Sequence, residues 1–476
     1  MSDANSTDSQ HFDLVVIGGG PGGYAAALYG ASAGLNIALV EKDKIGGTCL
    51  HRGCIPAKEL LETAAIVRTV KHAGDFGVIV EPKSVDWGVT MTRKQAVIDK
   101  LAGGVVMLLK NRKVTLFDGY GSLGPDRTVE IVGGVDDSER ATITADAVVL
   151  ASGSVPRVIP GFEPDGTTVV TSDEFFQLGQ IPRRAVVIGG GAIGCEFAST
   201  LADLGASVTI LEALPKILPG CDDDVTRVVL QSFKKKGIEV RAGVAVTGHT
   251  PDGNGSTTVS FGDGETLETD LVVVSVGRVP YTDGLLRDGT GVKISDRGHI
   301  EVDQLCRTGE PSVWAVGDAI ATPQLAHVAF AEAIMIIKDL LGESPAAIDY
   351  SRVPWAIYCH PEVAFAGHSE TSAKDAGFDV IVSKHRFGGN SRAQILGETD
   401  GLVKIIAEKT PEGTGGRVLG VHMVGPWVTE QLSGGYLAVN WEATVDEIAE
   451  FIQPHPSLTE LFGESVLALT GRSLHG

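Results

Sequence analysis

Cysteine is scarce in this chain, six residues in 476, and so few cannot form the framework of a small secreted disulfide scaffold. Basic residues are also outnumbered. Thirty-nine Lys and Arg face sixty Asp and Glu, which leaves a formal charge of -21 and a pI near 5.0. Such a surface repels phosphate backbones and anionic lipid head groups, which argues against a general affinity for nucleic acid or membrane. No apolar run approaches the roughly 18 residues of a membrane span; the longest candidates are short pieces such as Leu271 to Val276. The stretch Met1 to His11 is polar and acidic, without the basic start and apolar core of a secretory signal, and reads as a disordered tail. These absences together point to the cytoplasm.

What is present is ordinary globular composition, 43% hydrophobic and 21% charged. A chain this long exceeds one core, so three or four domains are expected. The segment Phe12 to Ile17 is an apolar run that ends in Gly18-Gly19-Gly20-Pro21-Gly22-Gly23, followed by the Ala-rich helical stretch Tyr24 to Ala33 and a second apolar run, Asn36 to Val40, closing on Glu41. The design recurs with the strand Ala185 to Ile188, the turn Gly189 to Gly194, the helix Cys195 to Leu204 and the strand Ser207 to Leu211, closing on Glu212. Each acid lies 23 positions after its first glycine. A glycine cluster alone is a weak signal. The full order of strand, turn, helix, strand and acid predicts a dinucleotide site, because the glycines admit a pyrophosphate to a helix N-terminus and the acid accepts a ribose hydroxyl. Gly18, Gly20, Gly23 and Glu41 are the binding residues of the first unit, and Gly189, Gly191, Gly194 and Glu212 those of the second. A carboxylate at Glu212 favours NAD over NADP, with Lys216 as the nearby cation that works against it.

Ala147 to Leu150 running into Ala151-Ser152-Gly153, and Leu271 to Val276 running into Gly277-Arg278, mark crossovers between domains. A further strand, Ser312 to Val316, ends in Gly317-Asp318 and leads into the helix Ala326 to Leu341. After Ser351 strands alternate with helices in the manner of an α+β domain. The expected fold class is therefore α/β, with two Rossmann-like dinucleotide-binding domains and a C-terminal α+β domain. The expected boundaries are 1–155, 156–277, 278–350 and 351–476.

Only Cys49 and Cys54 form a close pair, in Cys49-Leu50-His51-Arg52-Gly53-Cys54. Residues five apart on an ideal helix have Cα atoms roughly 8.7 Å apart, too far for a disulfide. Gly46, Gly47, Gly53 and Pro56 surround the pair, so the helix start can be distorted to bring the sulfurs together. A helix N-terminus with Arg52 and Lys58 close in sequence favours a reactive thiolate. Two buried structural thiols are the bland alternative, and no further ligands stand at zinc spacing, so no metal site is predicted. Near the C-terminus, His455 sits between Pro454 and Pro456, with Glu460 five residues on. A histidine oriented by an acid can serve as base to a thiol. The alternatives are a surface turn for His455 and a capping box between Ser457 and Glu460.

Gly46-Gly47-Thr48-Cys49-Leu50-His51-Arg52-Gly53-Cys54-Ile55-Pro56-Ala57-Lys58, the paired glycine turns, Trp314-Ala315-Val316-Gly317-Asp318 and His455-Pro456-Ser457-Leu458-Thr459-Glu460 together resemble the pyridine nucleotide-disulfide oxidoreductases over nearly the whole chain. The resemblance lies nearest to the members that oxidise dihydrolipoyl groups, and it implies domains for FAD, NAD, a central part and an interface. It implies that the first unit and Asp318 hold FAD, the second unit NAD. It also implies that Cys49 exchanges with substrate, that Cys54 passes electrons toward FAD, and that Lys58 and Glu196 stand near the flavin. Without the resemblance the last two read as a surface lysine and a solvated acid. His455 and Glu460 would serve the site of a second copy, which makes the enzyme a homodimer. The partner implied is the lipoyl domain of a 2-oxo acid dehydrogenase or related complex. The pattern departs from the family at His51-Arg52, where Arg52 is a cation able to tune the thiols, at Ala57, and at Gln453-Pro454. The other readings are a glutathione-type reductase, which usually carries arginines for NADP near Glu212, a mercuric reductase, for which Gly471 to Gly476 offers no cysteine pair, and a flavoprotein scaffold subunit.

Overall fold

Strands built almost wholly of Val, Ile, Leu and Ala are stable only where both faces of a sheet are covered. The computed structural model, which describes residues 10–81, 84–133 and 139–475, places both predicted β-α-β units in that situation. Two units are formed. The first comprises the described residues up to Pro56, with Met91–Arg157 and Arg278–Tyr350; the second comprises Ala57–Thr90, Val158–Gly277 and Ser351–Gly476 up to the last described residue.

In the first unit β1 (His11–Ile17), α1 (Pro21–Ser32) and β2 (Ile37–Glu41) open a seven-stranded sheet. Its order is Thr115–Asp118, β2, β1, Glu139–Leu150, Thr128–Gly133, Tyr120–Leu123, with Val313–Ala315 also paired to Glu139–Leu150. The strands around β1 are parallel, and their registers place Ile17 opposite Val40 and Leu150, and Leu150 opposite Ala315. Gly18, Glu41, Ala151 and Val316 consequently leave the sheet along one edge, the carboxyl edge at which such sheets bind ligands. The unit continues into α2 (Gly47–Arg52), and α3 (Cys54–His72) leads the chain into the second unit.

Several boundaries differ from the sequence expectation. The tail reading for Met1 to His11 fails at His11, which already lies in β1, while residues 1–9 lie outside the described residues. The strand expected over Ala147 to Leu150 is the last third of a twelve-residue strand. Its first half pairs antiparallel with Thr128–Gly133. One face there is exposed, so the apolar run that betrays a fully covered strand is missing. α1 begins at Pro21 instead of Tyr24, since proline is tolerated in the first helical turn.

The second unit repeats the parallel motif around Arg184–Ile188, flanked by Ser207–Glu212 and Glu239–Ala242 on one side and by Leu271–Val274 and Val169–Val170 on the other. Ile188 lies opposite Leu211 and Val274, so Gly189, Glu212 and Ser275 emerge together. The α+β region is a five-stranded antiparallel sheet in the order Trp355–Ile357, Glu362–Gly367, Gly415–Gly425, Leu402–Lys409, Val380–Arg386. The helices Val428–Asn440, Val445–Ala449 and Glu460–Leu469 contribute to its core through Leu432, Ile448, Leu461 and Val466. Among the described residues no helix is long and apolar enough to cross a membrane.

An ion cluster lies within this unit. Lys404, 2% exposed, donates to Asp222 Oδ1 at 2.9 Å, Asp224 Oδ2 at 2.9 Å and Glu370 Oε2 at 2.8 Å. Asp222 also caps the helix Asp223–Lys235 by accepting from the Asp224 amide. Bonds to Lys374 and Lys404 pull the Glu370 carboxyl down to about 2 against its burial. Opposite Lys404 on the neighbouring strand lies His422, which burial pushes down to about 4. A folded-state value below the ordinary 6.5 means that unfolding takes up a proton between those pH values. The stability held by neutral His422 is therefore present above about pH 6.5 and lost as pH falls toward 4. We expect the thermal midpoint of wild-type protein to fall more steeply from pH 7.5 to pH 4.5 than that of His422→Phe. Parallel curves would remove His422 as a source of acid sensitivity.

Candidate active site

Two turns of the backbone set the site. Gly18 has φ +106, and a Cβ there would lie 2.2 Å from the Ala151 carbonyl oxygen; a Cβ at Gly23 would lie 1.8 Å from the Gly18 carbonyl oxygen. Only glycine permits both the turn and the approach of α1 to the strand end. Gly20 is different, with Gly47 Cα at 4.0 Å as the nearest atom to its Cβ position. The Gly19 amide donates to Glu41 Oε2 at 2.6 Å, and the Asp43 amide donates to Oε1 at 2.8 Å. Burial pushes the Glu41 carboxyl up, opposed by the Gly19 amide.

The second unit repeats this almost atom for atom. Gly189 has φ +105 with the Ser275 carbonyl oxygen 2.4 Å from its Cβ position, and Gly194 would meet the Gly189 carbonyl oxygen at 1.9 Å. Gly191 faces open space. The Gly190 and Leu214 amides each donate to one oxygen of Glu212, both at 2.6 Å. Each acid thus ties its own turn to the end of the next strand, and the carboxylate lone pairs not used there remain for a ribose hydroxyl. Lys216, expected to work against NAD beside Glu212, is paired with Asp223 at 2.5 Å.

The residues present fit a dinucleotide. No side chain caps α1 or the helix Ala192–Asp203, and neither carries an acid in its first turn. Their leading N–H groups suit a pyrophosphate. In the first unit the Ser152 hydroxyl is buried with no hydrogen-bond partner among the described residues, in the turn that meets Gly18. An orphaned polar group of this kind is costly unless a ligand completes it. Asp318, in the turn Gly317–Ala319, accepts from Ser154 Oγ at 2.5 Å. Arg278 Nε donates to that same hydroxyl oxygen at 2.7 Å, and its Nη2 donates to the Ser154 carbonyl at 2.8 Å and reaches Thr48 Oγ1 at 3.5 Å. Glu332, fully buried on the helix Ala326–Leu340, accepts from the Gly317 amide at 2.8 Å and from the Tyr350 hydroxyl at 3.0 Å. Burial pushes its carboxyl up.

The cysteine segment is not one helix. Cys49 lies in α2, Cys54 opens α3, and Gly53 between them has φ -143 and ψ -111, a break that frees the pair from ideal helical spacing. Both thiol residues are partly buried. Cys54 occupies the first position of a 19-residue helix, the positive end of the helix dipole, which favours negative charge. Tyr24 on α1 lies close enough to sense both: burial pushes its phenol up to about 12, and Cys49 and Cys54 add to the rise. The expected tuning cation does not stand alone, because the Arg52 guanidinium is paired with Asp43. His51 bonds the Ile45 carbonyl at 2.9 Å, so this departure from the family pattern anchors the loop before α2.

In the second unit Lys58 donates to both oxygens of Glu196, at 2.9 and 3.0 Å. Its ammonium also lies 4.7 Å from the centre of the Tyr358 ring. Glu196 is buried and accepts from the Tyr358 amide at 2.9 Å, so it is not the solvated acid of the bland reading. His455 Nδ1 lies 2.7 Å from Glu460 Oε1, and the Ser457 amide donates to Oε2 at 2.7 Å. The helix begins at Glu460 after Thr459, which makes no side-chain cap, so the capping box is only half formed. Against burial, the Ser457 amide and the His455 ring hold the Glu460 carboxyl below its usual range. Among the described residues no cluster of three or more His, Cys, Asp and Glu is arranged for a metal ion. Sequence reasoning missed Tyr24, Ser154, Arg278 and Glu332. Arg278 carried a local signal, since it stands in the turn into which the crossover Leu271 to Val276 runs; the acid in an apolar helical stretch, Glu332, carried another.

The profile described as Pyridine nucleotide-disulphide oxidoreductase matches residues 12–333, and the profile of the corresponding dimerisation domain matches residues 353–466. The chain is 40% identical to a dihydrolipoyl dehydrogenase of Bacillus subtilis (strain 168) over 98% of this chain and 99% of that one. It is 38% identical to a dihydrolipoyl dehydrogenase of Chlamydia muridarum over 98% of each. Among solved structures, LpdA from Mycobacterium tuberculosis is similar with a TM-score of 0.89 at 25% identity, covering 97% of this chain and 99% of that chain.

The contrast between Gly20 and Gly23 gives a test. Gly20→Ala should fold with a normal thermal transition yet purify with reduced flavin content, read from the ratio of visible to ultraviolet absorbance. Gly23→Ala should lose on the order of 3 kcal/mol or more of stability, since its Cβ cannot fit without moving backbone. Equal behaviour of the two variants would contradict this division of roles.

Proposed function

Because the chain belongs to the pyridine nucleotide-disulphide oxidoreductase family, we propose that it is a dihydrolipoyl dehydrogenase, oxidising protein-bound dihydrolipoyl groups to the lipoyl disulfide with reduction of NAD. The observation that carries the proposal is full-length similarity to relatives of that activity, in a chain whose one cysteine pair close in sequence sits at a helix break beside a glycine-lined nucleotide turn. Residues 1–155 and 278–350 form the FAD-binding and central parts, 156–277 the NAD-binding part and 351–476 the interface of a homodimer. The protein works in the cytoplasm, and its macromolecular substrate is the lipoyl domain of a 2-oxo acid dehydrogenase or related complex.

In the proposed cycle Cys49 is the exchanging sulfur. A dihydrolipoyl thiol gives its proton to the partner subunit's His455, in a pair whose Nδ1 is oriented by the Glu460 carboxylate at 2.7 Å, and the resulting thiolate attacks Cys49 Sγ. The Cys49–Cys54 bond breaks, with Cys54 leaving as thiolate. The second substrate thiol then attacks its partner sulfur, its proton passing to Cys49 as that sulfur leaves, so that the substrate ends as a disulfide and the enzyme as a Cys49 thiol and a Cys54 thiolate, with the first proton on the imidazole. Bound FAD supplies the two-electron exchange between that dithiol and NAD. Gly18, Gly20, Gly23, Glu41 and Asp318 would hold its dinucleotide, the Lys58–Glu196 ion pair would serve its reactive ring, and Gly189, Gly191, Gly194 and Glu212 would hold NAD. The carboxylate at Glu212 favours a free ribose hydroxyl over a 2'-phosphate.

Wild-type enzyme should reduce NAD with dihydrolipoamide and should fail to oxidise NADPH with glutathione disulfide or mercuric ion. Cys54→Ser should lose dihydrolipoamide turnover while retaining flavin. His455→Gln should lower it by about 10²- to 10⁴-fold, with reduction of ferricyanide by NADH, which bypasses the dithiol, left intact. Turnover in Cys54→Ser, or preferred use of the glutathione or mercuric substrates, would contradict the proposal.

A further inference from the structure

On the helix Glu460–Leu469 a second carboxylate, Glu464, stands one turn beyond Glu460 on the same face. Both of its oxygens are bound by one residue that the proposed cycle does not use. His475 Nδ1 lies 2.9 Å from Glu464 Oε1, and the His475 backbone N–H donates to Oε2 at 3.3 Å. Glu464 is 18% exposed and His475 74%, so the histidine covers the carboxylate from the solvent side. From the other side the helix packs on the strand Val380–Arg386, where Glu464 acts on the His385 ring. Burial holds that imidazole below its ordinary value, and its Nδ1 is engaged with Ser383 Oγ at 3.2 Å. Glu460 in turn faces His455, the Ser457 amide and, more remotely, the His475 ring. Two carboxylates one turn apart are thus each bound by their own imidazole.

Like charges at this spacing repel by about 0.2–0.5 kcal/mol. A Glu464 released from both bonds would be free to swing its charge toward the Glu460–His455 pair and favour the protonated ring, which cannot take a proton from a thiol. We infer that His475 is a positioning residue for the acid–base pair, acting by holding both oxygens of Glu464 away from Glu460 and His455. The inference rests on the proposal that His455 and Glu460 serve the lipoyl substrate.

The test uses the full-length, flavin-loaded enzyme and the variants His475→Ala, Glu464→Gln and the two combined. The kcat/KM for dihydrolipoamide is followed from pH 5.5 to 9, and reduction of ferricyanide by NADH serves as a check on folding. His475→Ala should move the acid limb upward by about 0.2–0.4 pH unit, a loss of roughly 1.5- to 2.5-fold on that limb, with the alkaline plateau and the ferricyanide rate unchanged. The double variant should return to the limb of Glu464→Gln, because the charge to be masked is gone. A His475→Ala limb that coincides with wild type, or a shift that persists in the double variant, overturns the inference while leaving the proposed function standing. Absence of dihydrolipoamide turnover in wild type overturns both.

Discussion

The fold of both nucleotide units depends on one backbone contact made twice: a carbonyl oxygen at a strand end presses against a helical glycine, Gly18 on Gly23 and Gly189 on Gly194. At under 2 Å from the would-be Cβ positions, neither contact admits a side chain. The close approach brings the start of each helix to the carboxyl edge of its sheet, where the helix amides can meet a phosphate. Each turn is then fixed by a carboxylate from the following strand, Glu41 or Glu212, through the amide of the second glycine. The acids commonly explained through the ribose therefore have a structural duty that precedes any ligand.

The cysteine pair depends on this frame in the first unit. α2 and α3 begin beyond β2, whose end is pinned by Glu41, and the segment from Asp43 to Arg52 is tied down by the Arg52–Asp43 pair and the bond from His51 to Ile45. Gly53 then breaks the helix, so that Cys54 can open α3. Tyr24, on the helix that the glycine contact positions, senses both sulfurs. One chain of local constraints thus connects the nucleotide turn to the redox candidates.

Much of this was legible in the sequence because the signals are local. The glycine turns, their acids and the Cys49 to Cys54 segment each span fewer than thirty residues, and each carries its meaning in spacing. What was not legible is long-range. The Ser154, Arg278 and Asp318 cluster joins residues as much as 164 positions apart, and nothing in the local pattern of Ser154 separates it from other turn serines. The Lys404 cluster gathers Asp222, Asp224 and Glu370, acids as much as 182 positions away, around one buried ammonium, which no local pattern reveals. Glu196 reads as a solvated acid without the resemblance for the same reason, since helical periodicity cannot reveal that Lys58 and the Tyr358 amide surround it. The strand Glu139–Leu150 was read short because half of it has an exposed face and lacks the apolar run that marks the rest.

The central claim is that Cys49 and Cys54 are the two sulfurs that accept electrons from substrate. The direct measurement is anaerobic addition of one equivalent of dihydrolipoamide per chain without NAD, followed by alkylation, denaturation and mapping of the label on all six cysteines. The account predicts that label increases at Cys49 and Cys54 together and is unchanged at Cys195, Cys221, Cys306 and Cys359, all of which are buried. An increase confined to any of those four, or no change at Cys49 and Cys54, would contradict it.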